Sequence, residues 1–282
     1  MLDLEGIIPD VGKYNFTWRW EIEATPTCPG FETTTTVRNT YHTFYSVLAE
    51  PQSPISDSWT DALDIVCDWA TGTSSVQDAV TLITEGLYYS GFDHETDHGT
   101  TLYGSSTFEF TDFLADLGVG TEANCHDMAH GVVTLANSIG CNLSVSKFDN
   151  LYPIPKLYLN CIDPIGDPGA TNNTFSSPLI HYDCRTGGFG WHAVAESTGS
   201  KIWDATLRYD TDAIPDNVTG SSPGCGNTTT SHGWLLPCYV NDSTYARQLT
   251  DDWIKPNDQD SINCSDPYDC GYFQYNVSFN IR

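Results

Sequence analysis

Both ends of the chain alternate strictly between apolar and polar residues. Near the start, Tyr14, Phe16, Trp18, Trp20 and Ile22 fall on one side of a period of two, with polar residues on the other. Near the end, Phe273, Tyr275, Val277, Phe279 and Ile281 do the same, opposite Asn276 and Ser278. Each pattern predicts a half-buried β-strand, with Asn276 on the wet side. The two strands are expected to pair with each other, or each to complete a sheet in a neighbouring molecule. Between them the period changes. Trp59, Ala62, Leu63, Val66, Cys67 and Ala70 recur at helical spacing over 58–72, and Gly72 stands at the C-cap position. A second helix is expected from Ser74 to Gly86, with Gln77 completing a capping box. A third is expected over 107–118, burying Phe110, Phe113, Leu114 and Leu117. A fourth opens at Asn124-Cys125-His126-Asp127-Met128-Ala129 and ends at Gly140, with Cys125, Met128, Ala129, Val132, Ala136 and Ile139 on one face. Gly131 costs about 1 kcal/mol against Ala in its middle and implies close packing there, by a strand. After Gly140 the helical period disappears in favour of short strands and long polar loops. Helices grouped before strands indicate an α+β fold. The Thr33–Thr36 run is read as strand or loop.

The fourth helix carries the chemistry. Cys125 sits in its first turn, where unpaired backbone N–H groups favour a thiolate and can donate to an oxyanion. Downstream, Trp191–Glu196 and Lys201–Ala205 read as a hairpin around Ser197-Thr198-Gly199-Ser200. A three-residue loop Ser197–Gly199, with Gly199 in the left-handed position, pairs Glu196 with Ser200. His192 then stands directly opposite Asp204 on the same face. A two- or four-residue loop puts them on opposite faces. The sequence thus permits a carboxylate that orients an imidazole beside a thiol nucleophile.

The formal net charge is −26, with 37 acidic residues against only 11 Lys and Arg. The acidity comes from missing bases. Phosphate binding relies on Lys and Arg, so nucleic acid is excluded as a partner and anionic membrane surfaces are disfavoured. No apolar run is long enough to span a membrane, and the first residues carry no secretory leader pattern. Ten cysteines and eight Asn-x-Ser/Thr sequons, at Asn15, Asn142, Asn172, Asn217, Asn227, Asn241, Asn263 and Asn276, point to an extracellular or cell-surface location. Proximity suggests disulfides Cys264–Cys270, Cys225–Cys238 and Cys161–Cys184. If Cys125 is free, a second thiol is also unpaired. Cys67, on the apolar stripe of its helix, is the best candidate, and the other eight then make four bridges. Residues 161–178 and 210–270, rich in Gly, Pro, Asn and Asp, read as disulfide-stapled surface excursions.

The Cys125 segment, the helix end Ser138-Ile139-Gly140, His192-Ala193-Val194 and Trp203-Asp204-Ala205-Thr206 together resemble the transglutaminase-like superfamily over residues 58–207. Val194 stands where that family has an aromatic residue, and Asn124 where it often has a small one. The resemblance implies a papain-like α+β core, helices first and antiparallel sheet second, with β-rich, disulfide-stapled flanks. It also implies roles: Cys125 as nucleophile, His192 as general base and Asp204 as its orienter. The domain reading that follows is an N-terminal β-strand region over 1–57, the core over 58–207, and a disulfide-rich C-terminal extension over 208–282 ending in a strand.

Other clusters carry less. Asp93-His94-Glu95-Thr96-Asp97-His98 has metal-friendly groups but no spacing that fixes coordination, and reads as a solvated loop. Asp163-Pro164-Ile165-Gly166-Asp167-Pro168-Gly169 lacks the carboxylates of a Ca²⁺ loop and reads as turn chemistry. His126 and His130 lie one helical turn apart, but no Glu follows His126 to make the zinc-protease pattern. His126 is placed at the border of the cleft and His130 at the surface. His181 is a second candidate base, less favoured because no carboxylate strand follows it. No cofactor is required; Ca²⁺ has no support beyond the turn above, and no metal ligand is assigned. The function expected is a secreted thiol acyl-transfer enzyme. A Cys125 thioester would be resolved by water (protease or amidase) or by an amine (crosslinking), on a protein or peptide substrate. The alternative is a non-enzymatic surface or filament-forming protein that keeps the fold and self-associates through its terminal strands. A carbohydrate-binding module, resting on eight tryptophans, is a weaker third reading.

Overall fold

The computed structural model describes residues 10–24, 34–57, 59–95, 101–104, 106–150, 162–166, 191–198, 201–209, 272–277 and 279–281. The helices are α1 (Thr60–Trp69), α2 (Val76–Tyr88), α3 (Phe110–Ala115) and α4 (Cys125–Ser138). The strands are β1 (Gly12–Ala24), β2 (Thr34–Ser46), β3 (Asp93–His94), β4 (Thr107–Phe108), β5 (Glu122–Ala123), β6 (Leu143–Asn150), β7 (Ile162–Pro164), β8 (Trp191–Ser197), β9 (Ile202–Trp203), β10 (Leu207–Tyr209), β11 (Tyr272–Val277) and β12 (Asn280–Ile281). The fold is α+β. The largest sheet has the order β11-β6-β8-β9, antiparallel throughout.

Helix α4 is the centre of the molecule: all of its residues are buried. Met128, Val132, Leu135 and Ala136 join one apolar core with Val66 of α1, Val80, Ile83 and Leu87 of α2, Phe113 of α3, and Val145, Ala193, Ala195 and Trp203 of the sheet. A helix covered on several sides needs no polar face, which is why its apolar stripe is wider than the period alone suggests. Gly131 is explained by a helix rather than the expected strand. A Cβ there would lie 2.6 Å from the Phe113 ring, with Leu87 next to it.

The other helices follow their sequence signals with small shifts. On α2 the N-cap is Ser75, not Ser74: its Oγ accepts from Asp78 N at 3.1 Å and donates to Asp78 Oδ2 at 2.7 Å, in place of the expected Ser74/Gln77 capping box. The helix runs on through Gly86 because the Trp69 indole of α1 packs against that position, where a Cβ would meet it at 2.4 Å. Helix α3 is shorter than expected: Thr107 and Phe108 pair in parallel with Asn280 and Ile281 instead of opening it. It buries Phe110 and Phe113, while Leu114 and Leu117 are only partly covered.

Gly140 closes α4 at φ +89°. A Cβ there would meet Ala49 Cβ at 2.6 Å and the Ala49 backbone at 2.7 Å, in a segment whose Leu48 and Ala49 N–H groups donate to Ile139 O. Gly140→Ala combines left-handed strain with a clash. It is expected to lower unfolding free energy by about 3 kcal/mol, measurable as a lower urea midpoint with unchanged slope.

The terminal strands do not pair with each other. Strand β1 pairs with β2 over thirteen residues, from Gly12↔Ser46 to Ala24↔Thr34. The C-terminal pattern splits into β11, an edge strand of the main sheet, and β12, beside β4. The main sheet therefore takes a strand from beyond residue 207, and the C-terminal strand is satisfied within its own chain. The β1–β2 ribbon is anchored at its base: Val11 N donates to Thr73 O and Val11 O accepts from Gly72 N, just beyond α1, and Lys13 pairs with Asp64 at 2.7 Å. Farther out its aromatic residues stand open, with Phe16 40% exposed, Trp20 49%, Phe44 40% and Tyr41 79%. The strand was expected to be half-buried. A two-stranded ribbon has no third layer among the described residues to cover it.

Candidate active site

Asn124 starts α4 with a complete capping box. Its Oδ1 accepts from His126 N at 2.9 Å and Asp127 N at 3.1 Å, and Asp127 Oδ2 accepts from Asn124 N at 3.2 Å. Cys125 is thereby held in the first turn, 5% exposed and free of any disulfide. Asp127 also accepts from Leu102 N at 3.0 Å and Tyr103 N at 3.2 Å, tying the 101–104 loop to the mouth of the helix.

The hairpin from β8 to β9 brings the other two residues in. Asp204 Oδ2 lies 2.8 Å from His192 Nε2, and both side chains are buried. The register differs from the expected one. Ala195 stands opposite Trp203, Glu196 opposite Ile202, and Ser197 N donates to Lys201 O. The pairing extends one residue further toward the loop, to Ser197 and Lys201. The shift sets the large Trp203 against the small Ala195, and lets its indole donate to Thr81 Oγ1 at 3.3 Å. It moves pairing by two positions, so His192 and Asp204 keep the same face. Asp204 reaches His192 diagonally as the strand ends. Its Oδ1 accepts from Thr206 N at 2.7 Å and Leu207 N at 3.2 Å, which locks the carboxylate in place.

The electrostatics of His192 follow from these neighbours. Burial alone drives an imidazole toward its neutral form. The Asp204 carboxylate, and then the charge and hydrogen bond of the Cys125 sulfur, outweigh it and push His192 up to about 10. With Nε2 engaged by Asp204, Nδ1 is the nitrogen left for the sulfur. Cys125, His192 and Asp204 therefore meet in one buried cluster. Cys67 and Cys141 are also free thiols, buried, and burial pushes them up to about 11 and about 12. Cys141 was expected in a disulfide. It is instead a buried thiol directly after α4, so the ten cysteines do not divide into two free and four bridges. Cys28, Cys161, Cys184, Cys225, Cys238, Cys264 and Cys270 lie outside the described residues, as does His181.

Two pieces of the site were not foreseen. Glu95 is buried and His94 partly buried, so the two do not belong to a solvated loop. Strand β3 pairs in parallel with β5, and Glu95 N donates to Ala123 O at 3.0 Å, two residues before Cys125. His94 interacts electrostatically with His192 and Asp204, and burial pushes it down to about 4, so it stays neutral. Thr96, Asp97 and His98 lie outside the described residues. His130, expected at the surface, is fully buried. His126 borders Trp191, with ring centroids 5.6 Å apart. The one sequence signal for His130 was its spacing of four from His126.

Burial, despite three backbone N–H donors, raises Asp127 to about 6. A carboxyl whose folded value is raised contributes stability below its unfolded value, near 3.8, and loses it as pH climbs through about 6. The stability of Asp127→Asn relative to wild type should therefore rise by roughly 3 kcal/mol from pH 4 to pH 8, read from urea denaturation at both values. A constant difference would contradict the burial of a charged carboxylate there.

Of the sequon asparagines, Asn15 and Asn142 are exposed, and Asn276 lies in β11. The other five are outside the described residues. Of Asp163–Gly169, Asp163 and Pro164 belong to β7, paired with β10, Ile165 and Gly166 form a turn with Ile165 buried, and 167–169 lie outside the described residues. Among the described residues no group of three His, Cys, Asp or Glu is arranged to hold a metal, and no helix is long and apolar enough to cross a membrane. No protein-family model, curated protein or solved structure matches the chain.

Proposed function

We propose that the chain is a thiol acyl-transfer enzyme of transglutaminase-like type with a papain-like core, acting outside the cell or at its surface. The reading rests on one observation: a free Cys125 at the mouth of a buried helix, beside a His192 held at 2.8 Å by a buried Asp204. In the reaction the Cys125 sulfur, paired with the His192 imidazolium, attacks an amide carbonyl. The sulfur–carbon bond forms, the carbon–nitrogen bond breaks, and His192 passes its proton to the leaving amine. Water or a second amine then takes the acyl group from the thioester, with His192 accepting the proton of the attacking group. Asp204 keeps Nε2 oriented and balances the imidazolium charge.

Incubation with a glutamine-rich protein, with and without an amine-bearing fluorophore, tests this. Released ammonia, cleaved peptide or incorporated fluorophore, each lost in Cys125→Ser, is the expected outcome. Absence of all three across a panel of protein substrates contradicts it. A second reading, a surface protein that self-associates, is favoured by the open aromatic face of the β1–β2 ribbon. It predicts oligomers in native mass spectra that Trp20→Ser and Phe44→Ser disperse.

A further inference from the structure

We propose that His126 and His130 form a binding site for a divalent transition ion such as Zn²⁺, one residue from Cys125. The two imidazoles project from one face of α4 at a spacing of four, with ring centroids 4.2 Å apart. His130 is fully buried, and neither of its ring nitrogens has a hydrogen-bond partner. His126 is 6% exposed, and its Nε2 has none either. A buried nitrogen left without a partner costs about 1–3 kcal/mol, so three together require an explanation. Their surroundings offer little: Phe279 stacks on His130 at 3.9 Å, Phe108 lies at 5.1 Å, and Trp191 flanks His126. The Lys147 ammonium, 4.0 Å over the Trp191 ring, is close enough to push His126 down but gives its Nε2 no hydrogen bond, so the ring nitrogens remain open to a metal.

Both rings are in the form a metal needs. Burial, the larger cause for each, drives them well below the usual histidine range, His126 to about 4, so they are unprotonated at neutral pH. Neutral imidazole pairs select Zn²⁺, Co²⁺, Ni²⁺ or Cu²⁺ over Ca²⁺ and Mg²⁺. The site is not a hydrolytic zinc centre. The position where such a centre carries its general base is Asp127, and its carboxylate oxygens are taken by the Leu102, Tyr103 and Asn124 amides. With two protein ligands, the remaining coordination positions fall to water, and the ion is exchangeable. It would sit beside the sulfur without using it, and the site exists whether or not Cys125 turns over substrate.

Titration calorimetry with ZnCl₂ on chelator-stripped Cys125→Ser protein tests this, with the sulfur removed as a competing ligand. That protein is expected to bind one equivalent of Zn²⁺, with a rise in Tm, and to lose both when His130→Phe or His126→Gln is added. Phe suits the aromatic surroundings of His130. Should it not fold, His126→Gln, at the partly exposed end, decides alone. Equal Zn²⁺ stoichiometry and equal Tm shifts with and without the histidine changes, or no Zn²⁺ binding at all, would overturn the proposal and leave buried water as the partner of these rings.

Discussion

His192→Ala slows the alkylation of Cys125 by iodoacetamide at pH 7 by about 100-fold or more, the lower range for loss of a positioned base. The expectation follows from the charges of His192 and Asp204 at the sulfur. His192 is held protonated by Asp204 and Cys125 together, and removing the ring leaves the sulfur with the helix terminus alone. Asp204→Asn separates orientation from charge. The Asn Oδ1 keeps the Thr206 and Leu207 N–H bonds, so its Nδ2 faces His192 Nε2 as a donor. The imidazole then carries its proton on Nδ1, toward the sulfur, and cannot accept one from it. Turnover should fall by roughly 10⁴, the effect of the wrong tautomer, and the stability that depends on the Asp204 charge facing His192 should be lost with it. A turnover loss in Asp204→Asn no larger than tenfold would contradict the role given to the carboxylate.

Asp204→Ala goes further and unfolds the site. It strands a buried imidazole and removes the acceptor of two backbone N–H groups, and is expected to cost about 3–5 kcal/mol, the range for breaking a buried ion pair from one side. The sign of the pH dependence is set by His192. Its folded value, about 10, lies above its unfolded value near 6.5. The stabilisation is therefore complete below about pH 6.5 and fades as pH rises through 10. Wild type should lose this increment between pH 7 and 10.5, whereas Asp204→Ala should show a flatter profile over the same range. Parallel profiles would mean that His192 is not the group being held.

The helices were legible because their signals are local. Asn124 and Asp127 bracket the start of α4, Gly140 marks its end, and the apolar stripe between them needs no partner to be seen. Cys125 in the first turn followed directly. What failed were statements that depend on a second segment. Strand β2 is a mixture of Thr, Asn, Arg and aromatic residues, and becomes a strand by pairing with β1. His130 was read as surface because a helical period reports one covered face, while Phe108 and Phe279 cover another from distant parts of the chain. His94 and Glu95 join the site through parallel pairing of β3 with β5, which no local pattern encodes. The hairpin is the intermediate case. Its loop length set the facing of His192 and Asp204, and tertiary packing of Trp203 then moved the register by two.

Competitive labelling of the native protein with a limiting amount of iodoacetamide at pH 6.5, followed by peptide mass spectrometry, weighs the three described thiols against one another. The account predicts modification of Cys125 at least about 100 times faster than that of Cys67 or Cys141, which burial keeps as protonated thiols. Labelling of all three at similar rates, or recovery of Cys125 in a disulfide, would contradict it.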